Sequence, residues 1–336
     1  MIDSAPPLRV ALAGAGMISL HHLIAWRNLG DAARVVAIYD PDPAAAHRRA
    51  EAFGIACVAA DPAALLEQER IDALDIASPR ETHAFWVEAA AARGIDILCQ
   101  KPLTPTLAQS MALVQAVGGK VRLMVHENWR FRPWYRAIKR WIEAGEIGEI
   151  LLGQMAMFTS GMLPDPTGAC PALVRQPFMA HEPRLMIAES LIHQLDVVRW
   201  LIGPLRVVGA RALHTQDTVR GETLATILLE SASGAPVVVS GTSVAPGYPA
   251  RALDRLELIG RTASAVLDGT ALRLQGARHE AINFEHEQGY QASFDGVIAH
   301  FVACLRSGAA FETDPTDNLE TLRLVEHAYW AAGLHG

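Results

Sequence analysis

Leu8-Arg9-Val10-Ala11-Leu12-Ala13-Gly14-Ala15-Gly16-Met17-Ile18-Ser19 is the stretch on which the fold turns. Leu8 to Ala13 is an apolar run of strand length with no alternation, the pattern of a strand buried on both faces. The segment after Ser19 reads as a helix to about Leu29. A second apolar run, Val35 to Tyr39, ends at Asp40. Strand, turn, helix and strand follow at the spacing of a βαβ unit. Gly14 makes the tight turn. Gly16 lets the backbone approach a pyrophosphate, which then rests on the positive end of the helix. Ser19 is the third small residue, where helix and strand pack closely. A pair of glycines alone is often no more than a turn. Here it follows the first strand, opens a helix and is answered by an acid at the end of the second strand, which implies a dinucleotide site.

Asp40 bears on which dinucleotide. A carboxylate there accepts from the ribose hydroxyls and repels a 2′-phosphate. Pro41 follows it, not the Arg that a phosphate would want, so NAD is the expected cofactor. The plainer reading is that Asp40 begins the Asp-Pro-Asp-Pro turn and caps the helix from Ala44. Gly14, Gly16, Met17, Ile18 and Asp40 are the first expected cofactor contacts.

The chain has 336 residues, 51% hydrophobic and 19% charged, with a net charge of −7. That length suits two domains or one large one. The negative charge argues against nucleic acid as a partner. No apolar run has the length of a membrane span, and Met1 to Pro7 shows neither the basic nor the apolar region of a signal peptide. Cys57, Cys99, Cys170 and Cys304 are scattered without metal-binding spacing. Together these features suit a cytoplasmic protein with reduced thiols and no membrane partner.

Downstream of Asp40 the α/β rhythm continues. Helices are expected at Pro43–Phe53, Asp61–Leu66, Glu81–Arg93 and Pro105–Val117, and strands at Ala73–Ala77, Ile95–Cys99 and Val121–Val125. Such alternation gives a parallel, doubly wound sheet, and ligands lie beyond the carboxyl ends of its strands. Ser78, Pro79, Gln100, Lys101 and Asn128 all fall in loops at those ends, and His83 opens the helix after one of them. Each is a candidate cofactor contact, and each alone could be ordinary loop.

Near residue 150 the pattern changes. A helix at Trp134–Ala144 leads to a strand at Leu151–Thr159, then to an irregular Pro- and Gly-rich stretch, Ser160–Pro183. Loops of that length are usually functional or disordered; this one is expected to close over a substrate, with Arg175 and Arg184 in reach of it, the alternative being that both are surface charges. After a helix at Leu185–Ile202 the period becomes two, with runs at Val207–Ala212, Thr223–Glu230, Val237–Thr242, Arg255–Ile259, Ser264–Leu267 and Ala271–Leu274. Asp268-Gly269 is a hairpin turn signal. The expected fold is α/β: a Rossmann domain over 1–126, and an α+β domain over 127–336 with a large, mostly antiparallel open sheet, closed by helices at Phe294–Arg306 and Asn318–Ala332.

The helix Glu189-Ser190-Leu191-Ile192-His193-Gln194-Leu195-Asp196 carries three titratable groups on one stripe, since four- and three-residue steps share a helical face. Such groups are costly to bury without partners. A solvated face with a Glu–His pair is the alternative. Lys101, held in extended backbone before Pro102, is ambiguous by itself in the same way.

Ala13 to Asp40, Ile97 to Pro102 and Glu189 to Trp200 together resemble the Gfo/Idh/MocA superfamily of glucose–fructose oxidoreductase and inositol dehydrogenase. Gln100-Lys101-Pro102 corresponds to the family's Glu-Lys-Pro. Glu189, His193 and Asp196 correspond to its Asp-x-x-x-His-x-x-Asp. Asn128 to Pro133 is similar to the family segment after the last Rossmann strand. The Met17-Ile18-Ser19 turn, Arg130-Phe131 and the stretch from Arg175-Gln176-Pro177 to Glu189 resemble the apiose dehydrogenase branch. Gln100 for Glu removes a charge beside Lys101, and Glu189 for Asp lengthens an acid by one methylene.

The resemblance implies an oxidoreductase acting on CH–OH groups of a sugar or polyol. Lys101, His193 and Glu189 would be catalytic. Lys101, Asn128, Arg175, Glu189, His193 and Asp196 would bind substrate. A base that titrates near neutrality is wanted, and His is the natural one; Lys101 would stabilise the developing alkoxide. No metal is expected, because there is no His-Glu-x-x-His. The resemblance also implies a homodimer or homotetramer, and the open sheet offers a face that needs cover. The alternative is a regulatory protein of the same fold that binds NAD and a sugar without turnover; Lys101 and His193 favour the enzyme.

Overall fold

The apolar run Leu8–Ala13 forms β1, and the chain alternates from there through α1 (Ser19–Asn28), β2 (Ala33–Tyr39), α2 (Pro43–Phe53), β3 (Cys57–Val58), α3 (Pro62–Leu66), β4 (Ala73–Ile76), α4 (His83–Ala91), β5 (Asp96–Gln100), α5 (Leu107–Val117) and β6 (Leu123–His126). This is the architecture of a computed structural model that describes residues 6–68 and 70–334. The reading of Met1–Pro7 lies largely outside the described residues. Two compact units result: Met1–Phe131 with Gln291–Glu320, and Arg132–Tyr290 with Thr321–Gly336.

In the first unit six parallel strands run in the order β3-β2-β1-β4-β5-β6. The order reverses between β1 and β4, so the crevice of a doubly wound sheet opens beyond those two strand ends. Leu12, Leu23, Ile38 and Ala46 pack one face of the sheet under α1 and α2. Leu65, Leu74, Ile76, Trp86, Ile97 and Leu113 pack the other under α3, α4 and α5. Each such aliphatic side chain contributes roughly 1.5–3 kcal/mol on burial. The helix starts are written locally. Asp42 accepts from Ala44 N at 2.9 Å and Asp61 from Ala64 N at 2.8 Å, each with Pro at the first helical position. The cap of α2 is thus Asp42, and Asp40 is left for other partners. The two-residue β3 was not expected, being too short to show a period.

The second unit opens with α6 (Pro133–Glu143) and β7 (Ile150–Phe158), then α7 (Pro171–Arg175), a π-helical turn at Met186–Leu191 and α8 (Ile192–Ile202). Strands β8 (Leu205–Leu213), β9 (Leu224–Ser231), β10 (Pro236–Thr242), β11 (Leu253–Gly260), β12 (Ala263–Asp268), β13 (Ala271–Gly276) and β14 (Glu280–Asn283) complete an eight-stranded sheet. Its order is β14-β13-β12-β11-β7-β10-β9-β8, antiparallel except where β7 meets β10. Asp268-Gly269 makes the β12–β13 hairpin, with Gly269 at φ +63°. α9 (His286–Ser307) and α10 (Pro315–Ala331) begin earlier than their apolar periods, because their first turns are polar.

Ser160–Pro183 is more ordered than its composition suggests. It holds α7 and a 3₁₀ turn at Pro177–Ala180. Met162 is buried against Leu185 and Val219, with Ala172, Leu173 and Met179 around them. The stretch is anchored by a small apolar cluster of its own.

Two glycines let the Met186–Ile202 segment lie close on the sheet. A Cβ at Gly153 would stand 3.2 Å from Ile202 Cδ1, and one at Gly241 2.7 Å from Leu191 Cδ2. A buried carboxylate then pins α8. Asp254 of β11 accepts from Gln194 Nε2 at 2.8 Å and from the Tyr135 hydroxyl at 2.7 Å, and pairs with Arg132 Nη1 at 3.4 Å. Arg132 lies over the Trp134 and Tyr290 rings. Removing one partner of a buried ion pair leaves the other charge uncompensated. Asp254→Ala is therefore expected to cost about 3–5 kcal/mol, read as a fall in unfolding free energy in urea. A loss within about 0.5 kcal/mol, the range of ordinary surface changes, would contradict this account of α8.

Candidate active site

At the end of β1 the backbone of Gly14 runs against the end of β4. A Cβ there would stand 2.6 Å from the Ala77 carbonyl oxygen, and φ is +108°, so only glycine fits. Gly14 N donates to Tyr39 O at 2.8 Å, closing the turn onto β2. A Cβ at Gly16 would meet nothing within 4 Å. Space therefore stands in front of Gly16, at the start of α1, where the first N–H groups have no partner within the helix. That is the shape a pyrophosphate requires, and the residues fit NAD. Met17 is partly exposed and Ile18 packs beneath the turn against Leu12 and Leu23. Ser19 Oγ donates to Gly16 O at 2.7 Å, and Arg49 from α2 donates to the same carbonyl and to Ser19 Oγ.

Asp40 stands at the end of β2. Its Oδ2 accepts from Ala15 N at 2.6 Å and its Oδ1 from Asp42 N at 2.8 Å. Each oxygen keeps a second lone pair for a ribose hydroxyl. Ser78 Oγ lies 2.7 Å from Thr82 Oγ1, which donates to Pro79 O. The Ser78–Pro79 loop is thereby stiffened at the crevice. His83 is buried, with Nε2 2.9 Å from Ser78 O and Nδ1 2.9 Å from Pro102 O. Its ring ties the loop after β4 to the loop after β5. In that second loop Gln100 Oε1 accepts from Lys101 N at 2.8 Å, and the Lys101–Pro102 peptide is cis. Asn128 is buried and donates from Nδ2 to Ser293 Oγ at 2.7 Å.

In the second unit Glu189 lies in the π-helical turn and His193 in the first turn of α8, where it is 7% exposed. π-helical turns recur at functional sites. Asp196 is fully buried; it accepts from Thr321 Oγ1 at 2.9 Å and lies 3.6 Å from Arg199. Its carboxylate thus faces α10. Arg175 ends α7, is exposed, and lies near enough to Tyr290 to oppose the upward push that burial gives the phenol.

Residues 8–127 match the family model of an oxidoreductase family with an NAD-binding Rossmann fold, and residues 135–266 match the GFO/IDH/MocA C-terminal domain. The chain belongs to the GFO/IDH/MocA oxidoreductase family. It is 34% identical to a D-apiose dehydrogenase of Paraburkholderia graminis, over 96% of this chain and 87% of that protein. It is 30% identical to inositol 2-dehydrogenase 4 of Saccharopolyspora erythraea, over 90% of this chain and 86% of that one. Among solved structures it resembles an oxidoreductase from Agrobacterium radiobacter in complex with NAD+, L-tartaric acid and magnesium. The TM-score is 0.89 at 29% identity, covering 97% of this chain and 96% of that one.

This GFO/IDH/MocA chain also holds supporting residues that its short motifs do not announce. Glu222 is buried and accepts from Leu185 N at 3.2 Å, from Ile187 N at 2.9 Å and from the Tyr329 hydroxyl. It caps the turn that carries Glu189. Burial, ahead of the Glu222 charge, pushes the Tyr329 phenol far up, so it remains a donor. An acid before a strand was the sole signal in the sequence, and it is a common one.

His83 has a consequence for pH dependence. Burial lowers its pKa, outweighing the carbonyl partners that raise it. Below the unfolded value of about 6.5 the unfolded chain takes a proton that the folded chain holds off, so stability falls as the solution is acidified. Between pH 7 and pH 5.5 the wild type is expected to lose more Tm than His83→Gln. Equal losses in the two proteins would contradict this.

Proposed function

We propose that this chain is an NAD-dependent dehydrogenase that oxidises a hydroxyl or hemiacetal carbon of a sugar or polyol, a branched pentose such as D-apiose foremost. The observation that carries this reading is the 34% identity to a D-apiose dehydrogenase across nearly the whole chain, beside a Lys101 and a His193 that stand where the chain resembles the family's motifs. Bound NAD supplies the hydride acceptor. A substrate C–H bond breaks and its electron pair leaves as hydride, while the O–H proton passes to the His193 imidazole. Lys101 donates a hydrogen bond to the developing alkoxide. Glu189 orients His193 or holds a neighbouring hydroxyl, Arg175 and Asn128 bind sugar hydroxyls, and Asp196 steadies α8. Residues 1–126 carry the cofactor and 127–336 the substrate. Ser160–Pro183 forms the substrate wall.

With D-apiose, other aldoses and inositols offered alongside NAD, NADH absorbance is expected for at least one. His193→Ala should lower kcat/KM about 10²–10⁴-fold with NAD affinity unchanged. The wild-type rate should fall on the acid side, where a protonated imidazole cannot accept. Full activity of a folded His193→Ala across pH would overturn this role. NAD should bind more tightly than NADP, and Asp40→Ser should narrow the gap; calorimetry showing tighter NADP binding by the wild type would refute the assignment of Asp40.

We also place the protein in the cytoplasm as a homodimer or homotetramer built on the sheet of the second unit. Support for the first comes from four cysteines that form no disulfide; no described helix is long and apolar enough to cross a membrane. Support for the second is the sheet's outward face. Leu228 and Val208 are 40% and 48% exposed there, beside a depression of about 530 Å³ lined by Gln154, Phe158, Val238, Ser240, Arg255 and Arg273. Sedimentation should show an oligomer at micromolar concentration, and a monomer would contradict it.

A further inference from the structure

Asp75 occupies the middle of β4, between Leu74 and Ile76, with 0% exposure. A carboxylate in a core strand is costly unless donors surround it, and here they do. His22 Nδ1 lies 2.9 and 3.0 Å from its two oxygens, and Trp26 Nε1 donates to Oδ2 at 2.7 Å. The other nitrogen of His22, Nε2, lies 3.1 Å from Gln100 Nε2. Gln100 Oε1 in turn accepts from Lys101 N at 2.8 Å.

The sense of every bond in this chain is determined from its outer end. The Lys101 backbone N–H can only donate, so the Gln100 atom facing it is the carbonyl oxygen. The opposite end of that amide is NH₂, which also can only donate. His22 Nε2 must then present a lone pair, and the ring proton sits on Nδ1, aimed at Asp75. His126 from β6 stacks on the ring at 4.2 Å between centroids, and Phe294 of α9 meets it edge-on at 5.5 Å. Cys99 of β5 is buried, and burial together with the Asp75 charge pushes its thiol well up, so it stays a neutral SH.

We propose that Asp75 and His22 are positioning residues for Lys101, acting through Gln100 in a one-way hydrogen-bond relay that holds His22 as its Nδ1–H form. The proposal rests on the reading of Lys101 as a catalytic donor. The relay ends on the backbone nitrogen of that residue, at the carboxyl end of β5, and orients the strand end from which its side chain leaves. A Glu at position 100 would accept from both sides. His22 Nε2 would then need a proton, and the ring would sit as an imidazolium between two carboxylates. Gln100 therefore exchanges an imidazolium–carboxylate link for a neutral imidazole–amide one in the same chain, with Asp75 the charged end in both.

The test is ¹⁵N NMR of the histidine side chains in the full-length protein with NAD bound, with His22 assigned by its absence in His22→Phe. The wild type should show one protonated ring nitrogen, Nδ1. Gln100→Glu should show both protonated. Gln100→Leu, which removes the acceptor of Lys101 N–H, and Asp75→Asn should each lower kcat about 10–100-fold, and Asp75→Asn should do so with NAD affinity and KM nearly unchanged. A wild-type His22 protonated on Nε2 would overturn the relay, and so would full kcat in a folded Gln100→Leu. If Asp75→Asn does not fold, the tautomers of the wild type and Gln100→Glu still decide. A wild type inactive on every sugar counts against the dehydrogenase reading, whereas a wrong tautomer in an active enzyme counts against the relay alone.

Discussion

The end of β1 meets the end of β4 with no room for a side chain, because a Cβ on Gly14 would stand 2.6 Å from the Ala77 carbonyl oxygen. That steric constraint sets the rest of the first unit. It brings the turn after β1 against the loop after β4 at the point where the strand order reverses. It leaves open space in front of Gly16, at the start of α1, where backbone N–H groups and the helix dipole favour a pyrophosphate. Asp40 then closes the cradle from β2 through Ala15 N. An NAD-binding Rossmann domain follows from a few ångströms of missing volume.

Around this apolar frame the chain places buried carboxylates, each holding a segment that carries a candidate functional residue. Asp75 reaches Gln100 through His22. Asp254 holds Gln194, next to His193. Glu222 caps the π-helical turn of Glu189. Buried charges are poor sources of net stability compared with apolar groups of the same shape. Their common feature here is geometric: each fixes backbone or side-chain direction beside a residue proposed to meet cofactor or substrate.

The Rossmann half was largely legible in the sequence, since Gly14, Gly16 and Asp40 lie in one local run whose physics is local. The hairpin at Asp268-Gly269 was legible for the same reason. The supporting carboxylates were not, because their partners are distant in sequence. His22 and Asp75 are 53 residues apart, Gln194 and Asp254 60, and Glu222 and Tyr329 107. Asp40 and Asp42 illustrate a finer limit. Both stand in one Asp-Pro-Asp-Pro run, and only the structure assigns the helix cap to Asp42 and the Ala15 bond to Asp40. The π-helical turn at Met186–Leu191 has an apolar period close enough to an α-helix that it reads as one. Ser160–Pro183, read as an irregular stretch, is tied down by Met162, whose partners Leu185 and Val219 are also remote.

Direct hydride transfer between a sugar carbon and nicotinamide is the step that every one of these residue roles serves. The most direct measurement supplies NAD and a turned-over sugar carrying deuterium at the carbon to be oxidised, and follows the label by mass spectrometry and proton NMR. One deuterium should appear at C4 of the nicotinamide ring of the NADH formed, with none in solvent. NADH free of label from substrates deuterated at each carbinol and hemiacetal position, or deuterium released to water, would contradict the account.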